Sequence, residues 1–255
     1  MLEIMSAPIV QIYEIQTPEE ARAMIDAGVD HIGSVILSRA QRRDPALRDT
    51  ISLVRRYGAV SSLIPLFTDP DAVLAALDYL RPQIVHFCDR LSPAEEGPLR
   101  SAYTLQEAVK RGFPDVRVMR SIPIGQTGGA DAQAVLALAA RLEPVSDYFL
   151  TDTVMAGTSG SSDADQPVDG FVGITGLTCD WSVAAQLVAR SRIPVILAGG
   201  ISPENVADGI KRVRPFGVDS CTCTNAVDGR GRPIRFKKDV QRVRALIAQV
   251  RKASA

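Results

Sequence analysis

Short apolar runs and amphipathic helical segments alternate along the whole chain, and this alternation restricts the fold more than any other feature. Strand-length apolar runs are predicted at Ile9–Ile15, His31–Leu37, Val60–Phe67, Ile84–Cys88, Val116–Ile124, Asp147–Thr153, Ile193–Leu197 and Phe216–Cys223. A helical segment follows each run, which predicts a parallel sheet with helical connections. Eight such units in 255 residues predict an α/β fold of the (β/α)₈ TIM-barrel type, with residues 1–255 as a single domain. An open doubly wound sheet is the alternative.

The helical segments carry recognisable start signals. Thr17–Glu20 is a capping box with proline at the first helical position, and Asp44-Pro45 and Asp69-Pro70 begin the next two helices. The later helices are predicted at Thr104–Arg111, Ala130–Leu142, Asp180–Arg192, Ser202–Val213 and Lys237–Lys252. The polar segment Ala156–Gly176 is rich in Gly, Ser, Thr and Asp, which predicts a mobile surface loop.

The overall composition argues against nucleic-acid and membrane partners. The 29 Lys and Arg residues balance the 29 Asp and Glu residues, so net charge predicts no nucleic-acid partner. The apolar runs are too short to cross a membrane, and the N-terminus lacks the basic and apolar regions of a signal peptide. The four cysteines have no disulfide-framework spacing, which favours reduced thiols. We therefore expect a cytoplasmic protein that holds any anionic ligand in a local site.

The segment Ile193–Asn205, IPVILAGGISPEN, predicts a phosphate site. Its strand ends at Gly199-Gly200, where a ligand can approach the backbone closely. Ser202 is the expected N-cap of the following helix and Pro203 its first residue, so unpaired amides and a positive dipole end lie nearby. The alternative is a short turn that needs glycine only for its geometry.

In a barrel the site lies at the carboxyl ends of the strands, which points to three further groups. Asp152 ends the sixth strand; as a partly buried carboxyl it suits a general acid, or it caps a turn. Thr222 and Cys223 end the eighth strand, beside the glycines. Arg39 or Arg42, after the second strand, is predicted to pair with a substrate carboxylate, the alternative being an exposed loop arginine. His86, Cys88, Cys221 and Cys223 are zinc-ligand types, but strands four and eight lie on opposite sides of a barrel, so no metal site is predicted.

Five further segments form a recognisable set. They are LTDT at Leu150–Thr153, GITGLTCDW at Gly173–Trp181, PVILAGGISPENV at Pro194–Val206, GVD at Gly217–Asp219 and IVQIYEIQTPEEA at Ile9–Ala21. Together they resemble the phosphoribosylanthranilate isomerase family of tryptophan biosynthesis, and the similarity runs along nearly the whole chain. The resemblance implies a (β/α)₈ barrel with no metal or organic cofactor and a small phosphorylated substrate. It also implies a monomer or homodimer.

The resemblance further implies an Amadori rearrangement, in which a phosphorylated aminoaldose becomes an aminoketose. A general acid opens the sugar ring and a general base removes the C2 proton. By position, Asp152 is the acid and Asp219 lies near the sugar. The other substrate-contacting positions are Cys88, Gly176, Gly199, Gly200, Thr222 and Cys223, with Arg39 or Arg42 at the anthranilate carboxylate.

The base is where this chain departs from the family. The catalytic cysteine of the family falls on Tyr13, and a tyrosine near its ordinary pKa of about 10 is a poor base at neutral pH. Cys221 or Cys223 is predicted to supply a thiolate instead, or Glu14 serves if a bulge turns it inward. The alternatives are a barrel that binds a phosphorylated ligand without catalysis, and a lyase or epimerase on the same scaffold.

Overall fold

The computed structural model describes residues 7–154, 170–173 and 175–254, and its centre is a closed barrel of eight parallel strands. The barrel strands are β1 (Ile9–Ile12), β2 (His31–Ile36), β3 (Val60–Pro65), β4 (Ile84–Phe87), β5 (Arg117–Gly125), β6 (Tyr148–Val154), β7 (Val195–Leu197) and β8 (Gly217–Ser220). Each strand pairs with the next, and β8 closes the barrel on β1 with Gln11 opposite Asp219. The predicted (β/α)₈ fold is confirmed, and the open sheet is excluded.

Within the described residues, eight α-helices surround the barrel; seven connect successive barrel strands and the eighth follows β8. They are α1 (Pro18–Ala27), α2 (Pro45–Arg56), α3 (Pro70–Leu80), α4 (Glu96–Gly112), α5 (Ala132–Leu142), α6 (Trp181–Arg190), α7 (Val206–Val213) and α8 (Val240–Ala253). The first three begin where the caps predicted. Thr17 forms the complete capping box with Glu20, and the Asp44 and Asp69 side chains accept backbone amides of the first turns.

The apolar core has an inner and an outer part. Inside the barrel, Met119, Leu150 and Ile196 pack against one another and close its centre. Outside, the strands bury residues such as Val10 and Val218 against the helices. Because the centre is filled by side chains, a ligand can enter only from an end of the barrel. No helix among the described residues is long and apolar enough to cross a membrane.

The starts of α4 and α7 differ most from the predicted helix boundaries. Helix α4 extends N-terminally from the predicted Thr104 to Glu96, because Leu99 and Ala102 continue its buried face. Helix α7 begins at Val206 rather than at Ser202. Ser202 instead belongs to a turn in which its own amide donates to Asn205 Oδ1 and its Oγ accepts the Glu204 amide. These local bonds compete with helical ones, so the expected N-cap lies outside the helix.

The region after the eighth strand also differs from the prediction. Strand β8 ends at Ser220, and a 3₁₀ turn covers Thr222–Thr224. Cys221 and Cys223 therefore do not lie on one face of a strand. A two-stranded antiparallel hairpin follows, formed by β9 (Asn225–Val227) and β10 (Pro233–Lys238), so Lys237 and Lys238 belong to a strand and not to the last helix. Of the predicted loop Ala156–Gly176, residues 156–169 and 174 lie outside the described residues.

Candidate active site

A cavity opens at the carboxyl ends of the barrel strands. The empty space within it is about 800 Å³, a figure that includes open solvent at its mouth. The predicted site residues that line it are Tyr13, Cys88, Asp152, Gly176, Gly199, Gly200, Asp219, Thr222 and Cys223. Arg39 and Arg42 are exposed and do not line it. Arg39 Nη1 lies 3.6 Å from Asp69 Oδ2, and Arg42 Nη1 donates a hydrogen bond to the Arg39 carbonyl oxygen.

The glycine-rich end of β7 packs against the returning loop from β6. A Cβ atom on Gly199 would lie 2.2 Å from Thr153 Oγ1, and one on Gly200 would lie 2.6 Å from the Leu177 carbonyl carbon. Gly176, Gly199 and Gly200 all have φ in the left-handed region. Packing alone therefore requires glycine at both of these positions after β7. Their role toward a phosphate stays a prediction.

Asp152 projects into the cavity from near the C-terminal end of β6. It is 9% exposed, and its Oδ1 accepts the Thr153 amide at 2.9 Å. Burial raises the pKa of Asp152 to about 7; the Thr153 amide opposes this shift and nearby Asp219 adds to it. A Cβ atom on Gly173 would lie 2.8 Å from Asp152 Oδ2, so the described end of the β6–α6 loop closes tightly over this carboxyl. At neutral pH this carboxyl carries a proton for a substantial part of the time.

Asp219 is the second buried aspartate of the cavity and projects from β8. The Gln11 amide on β1 donates to Asp219 Oδ1 at 3.1 Å, and Gln11 Oε1 lies 3.3 Å from His31 Nδ1 on β2. Burial raises the pKa of Asp219 to about 7, although the Gln11 hydrogen bond and the charge of Lys238 both lower it. The cavity thus holds two carboxyls that titrate near neutral pH.

Tyr13 follows the end of β1 and is part of a chain of hydrogen bonds that joins β3, β4 and β5. Its hydroxyl is 2.6 Å from Ser62 Oγ on β3 and 2.9 Å from His86 Nδ1 on β4. His86 Nε2 is in turn 2.9 Å from Ser121 Oγ on β5. Burial raises the pKa of Tyr13 well above its usual value and lowers that of His86 to about 3. Both side chains are therefore neutral, and their polar atoms are satisfied within the barrel.

Gly33 on β2 leaves the space that the Tyr13 ring occupies. A Cβ atom at position 33 would lie 2.0 Å from Tyr13 Cδ1, although Gly33 itself has no left-handed φ. We expect Gly33→Ala to lower the free energy of unfolding by about 1–3 kcal/mol, the usual range for overpacking a core. In a Tyr13→Cys background the same change should cost under about 0.5 kcal/mol, because the obstructing ring is gone. Denaturant unfolding of the parent, the two single variants and the double variant measures this coupling.

The matched control is Gly97→Ala. An added Cβ at that position, in the first turn of α4, meets nothing within 4 Å, so it should not destabilise the fold. An equal loss of stability in Gly33→Ala with and without the tyrosine would show that the ring is not the obstacle.

Cys221, Cys223 and Glu14, the groups predicted to replace the family base, are unsuited to that role. Burial raises the pKa of Cys221 to about 12 and also raises that of Cys223, which argues against a thiolate at either. Glu14 has a left-handed φ of 66° and pairs with Arg235 and Lys238 of β10. Burial alone would raise its pKa, but these two cations lower it overall. Glu14 is thus an ionised, weakly basic anchor of the hairpin.

Arg235 is the one cationic side chain among the described residues that line the cavity, and sequence reasoning missed it. Arg235 lies between the apolar residues Ile234 and Phe236. This apolar–charged alternation was a signal for a strand, because successive strand residues point to opposite faces. Among the described residues, no cluster of three or more His, Cys, Asp or Glu side chains is arranged to hold a metal ion.

The raised pKa values of Asp152 and Asp219 predict a characteristic dependence of stability on pH. Their folded-state pKa near 7 exceeds the ordinary value of 3.8, so the folded chain keeps protons that the unfolded chain releases above about pH 4. This stabilisation is complete below pH 4 and is lost as the pH rises through 7. Asp152→Asn removes the buried charge and should raise the free energy of unfolding at pH 8 by an amount on the order of a few kcal/mol.

Thermal unfolding of parent and Asp152→Asn protein between pH 5 and pH 9 measures this effect. The difference in midpoint should shrink toward pH 5, where the parent carboxyl is protonated. Asp49→Asn, on the exposed face of α2, is the control. The difference between its unfolding midpoint and that of the parent should not increase with pH. A constant difference across the range would contradict a raised pKa at Asp152.

The chain is similar to known proteins both in sequence and in fold. A family model described as N-(5'-phosphoribosyl)anthranilate (PRA) isomerase matches residues 132–232. The N-(5'-phosphoribosyl)anthranilate isomerase of Methanocella arvoryzae is 31% identical over 246 residues, which cover 95% of this chain and 97% of that protein. The isomerase of the same name from Methanothrix thermoacetophila is 30% identical over 240 residues, covering 92% and 98%. The crystal structure of phosphoribosyl anthranilate isomerase from Thermotoga maritima has a TM-score of 0.66 at 20% identity and covers 96% of this chain and 99% of that one.

Proposed function

The chain belongs to the N-(5'-phosphoribosyl)anthranilate isomerase family, and we propose that it converts N-(5'-phosphoribosyl)anthranilate into the corresponding 1-amino-1-deoxyribulose 5-phosphate. The observation that carries the proposal is the buried Asp152 carboxyl in the cavity at the carboxyl ends of the strands. A carboxyl whose pKa is raised to about 7 can be protonated in the resting enzyme and still release its proton readily. Asp152 accordingly acts as the general acid that protonates the ring oxygen and opens the sugar.

The phosphate end of the substrate would lie against the glycine-rich side of the cavity. Gly176, Gly199 and Gly200 line this side together with Thr222 and Cys223 of the 3₁₀ turn. The absence of side chains at the three glycines brings backbone groups to the cavity surface, and the Thr222 hydroxyl adds a donor. This side adjoins β7 and β8, the strands whose loops commonly bind phosphate in barrels of this type.

Arg235 is the residue that we propose for the anthranilate carboxylate. It lines the cavity from β10, while Arg39 and Arg42 do not reach it. We expect Arg235→Gln to raise KM by about 10–100-fold with little change in kcat, because one charge-assisted hydrogen bond contributes about 1.5–3 kcal/mol to binding. Steady-state kinetics with the natural substrate measures the effect.

A substrate made from aniline in place of anthranilate is the control for this prediction, since it has no carboxylate. Parent and Arg235→Gln enzyme should have similar KM values for the aniline compound. If the variant loses affinity equally for both compounds, Arg235 acts on the fold of the hairpin and not on the carboxylate.

Turnover by the purified protein tests the function itself. The substrate is generated in the assay from anthranilate and phosphoribosyl pyrophosphate by a purified transferase, and the ketose product is followed by chromatography. Product formation at a rate proportional to this protein supports the proposal. Binding of the substrate with no product above the transferase-only control would overturn it in favour of a non-catalytic barrel.

A further inference from the structure

The proposed reaction needs a base as well as an acid, and the position that supplies it in the family carries Tyr13 here. We propose that Asp219 on β8 is the general base that removes the C2 proton. The inference rests on the proposed function, and it assigns to this chain a two-aspartate site in place of an aspartate and a cysteine.

The other titratable groups that line the cavity are each occupied or neutral. Tyr13 and His86 satisfy one another and two serines, and both remain uncharged. Burial raises the pKa of the Cys88, Cys221 and Cys223 thiols, so they stay protonated. Glu14 accepts hydrogen bonds from Arg235 on one oxygen and from the Phe236 amide on the other. Of the described cavity residues, this leaves the two aspartates.

Asp219 is held in a definite orientation while one oxygen stays available. Gln11 on the adjacent strand donates to Oδ1, and no described residue donates to Oδ2. The residue is only 7% exposed, so its exposure is confined to the cavity. A base needs such a fixed carboxylate with one oxygen free to reach the substrate. Gln11, which also contacts His31, is accordingly a positioning residue.

The two aspartates also divide the roles of acid and base between them. Their negative charges repel, and the low polarity of the site strengthens that repulsion, so the second ionisation of the pair is opposed. Around neutral pH the pair therefore carries about one proton. The Thr153 amide favours the charged form of Asp152, whereas Gln11 and the cation Lys238 both favour the charged form of Asp219. Because the cation acts on Asp219, we assign the proton to Asp152 and the negative charge to Asp219.

The protons balance over the whole rearrangement. Asp152 gives its proton to the ring oxygen as the C1–O bond breaks, which leaves a protonated imine at C1. Asp219 removes the C2 proton, the C2–H electron pair forms the C1=C2 bond, and the C=N π pair moves to nitrogen. Asp219 then returns the proton to C1 as the C2 hydroxyl proton passes to Asp152. The product is a ketone, and both carboxyls regain their starting states.

The test compares Asp219→Asn with the parent enzyme in kinetics and binding. We expect kcat to fall by about 10²–10⁴-fold, the usual contribution of a general base. Affinity for the product whose C2 ketone has been reduced to an alcohol should change by less than about fivefold. Substrate carrying deuterium at C2 separates the base from the acid. Asp219→Glu, which keeps a carboxylate at a displaced position, should show a larger isotope effect on kcat than the parent.

Two matched controls remove the other possible bases. Tyr13→Phe and Cys221→Ser should each keep kcat within about tenfold of the parent. If either loses as much as Asp219→Asn, or if Asp219→Asn keeps more than a tenth of parental kcat, the assignment is overturned. Absence of turnover in the parent enzyme would instead overturn the proposed function, so the two failures are distinguishable.

Discussion

Replacing Asp152 by asparagine is expected to lower kcat by about 10²–10⁴-fold, which is the contribution of a well-placed general acid. Asparagine has the same shape and can still accept the Thr153 amide, so the fold should persist. It has no proton to give to the ring oxygen, and the sugar would have to open without acid assistance. Affinity for the reduced product should change little, because ring opening has already occurred in that compound. Steady-state kinetics and calorimetric binding measure the two quantities.

The control for this prediction lies at the other end of the same strand. Asp147 immediately precedes β6, where it accepts hydrogen bonds from Lys110 and the Val118 amide, away from the cavity. Asp147→Asn should keep kcat within about threefold, whatever its effect on stability. If Asp152→Asn retains a tenth or more of parental kcat, Asp152 is not the acid.

Replacing Glu14 by alanine is expected to lower the free energy of unfolding by about 3–5 kcal/mol, the usual cost of removing one partner of a buried ion pair. The Glu14 and Lys238 side chains are 2% and 3% exposed, so the variant leaves a buried cation without its carboxylate. The acceptors that Lys238 keeps among the described residues are neutral: Asn225 Oδ1 and the carbonyl oxygen and Sγ of Cys221. The β9–β10 hairpin also loses its hydrogen bonds to the barrel at Glu14.

An exposed ion pair provides the comparison for Glu14. Glu96 makes two hydrogen bonds to Arg141 at 2.7 and 2.8 Å, but both side chains are largely in solvent. Glu96→Ala should therefore cost at most about 1 kcal/mol. Urea unfolding of both variants measures the difference, and hydrogen exchange of the hairpin amides should increase in Glu14→Ala alone. Equal costs in the two variants would contradict the role of burial.

Much of the fold was predictable because its signals are local. The capping residues of α1, α2 and α3 act within three or four positions of the chain, and each helix begins where its cap predicted. The errors occurred where local signals compete. Ser202 had the composition of an N-cap, but its side chain and backbone form a turn with Asn205, and the helix begins four residues later.

The residues of the candidate site were likewise predictable only in part. Asp152 and the β7 glycines could be located because strand ends are visible in the sequence and the barrel rule brings all those ends to one face. Arg39 has the same type of position after β2, yet its side chain points to Asp69 and away from the cavity. Sequence position sets which end of the barrel a residue occupies, but an exposed side chain has many rotamers, and only its neighbours select one.

What the sequence by itself determined was the eight-unit barrel and the strand-end placement of its polar residues, because apolar periodicity and capping depend on neighbours along the chain. Only the tertiary structure decided which of those residues are free to act. Tyr13 is neutral because burial raises the pKa of its hydroxyl, and Ser62 and His86 reach that hydroxyl from β3 and β4. Glu14 stays ionised because Arg235, 221 positions away, and Lys238 lower its pKa. Desolvation and charge pairing depend on distance in space, so groups that look equivalent in the sequence acquire different protonation states in the fold.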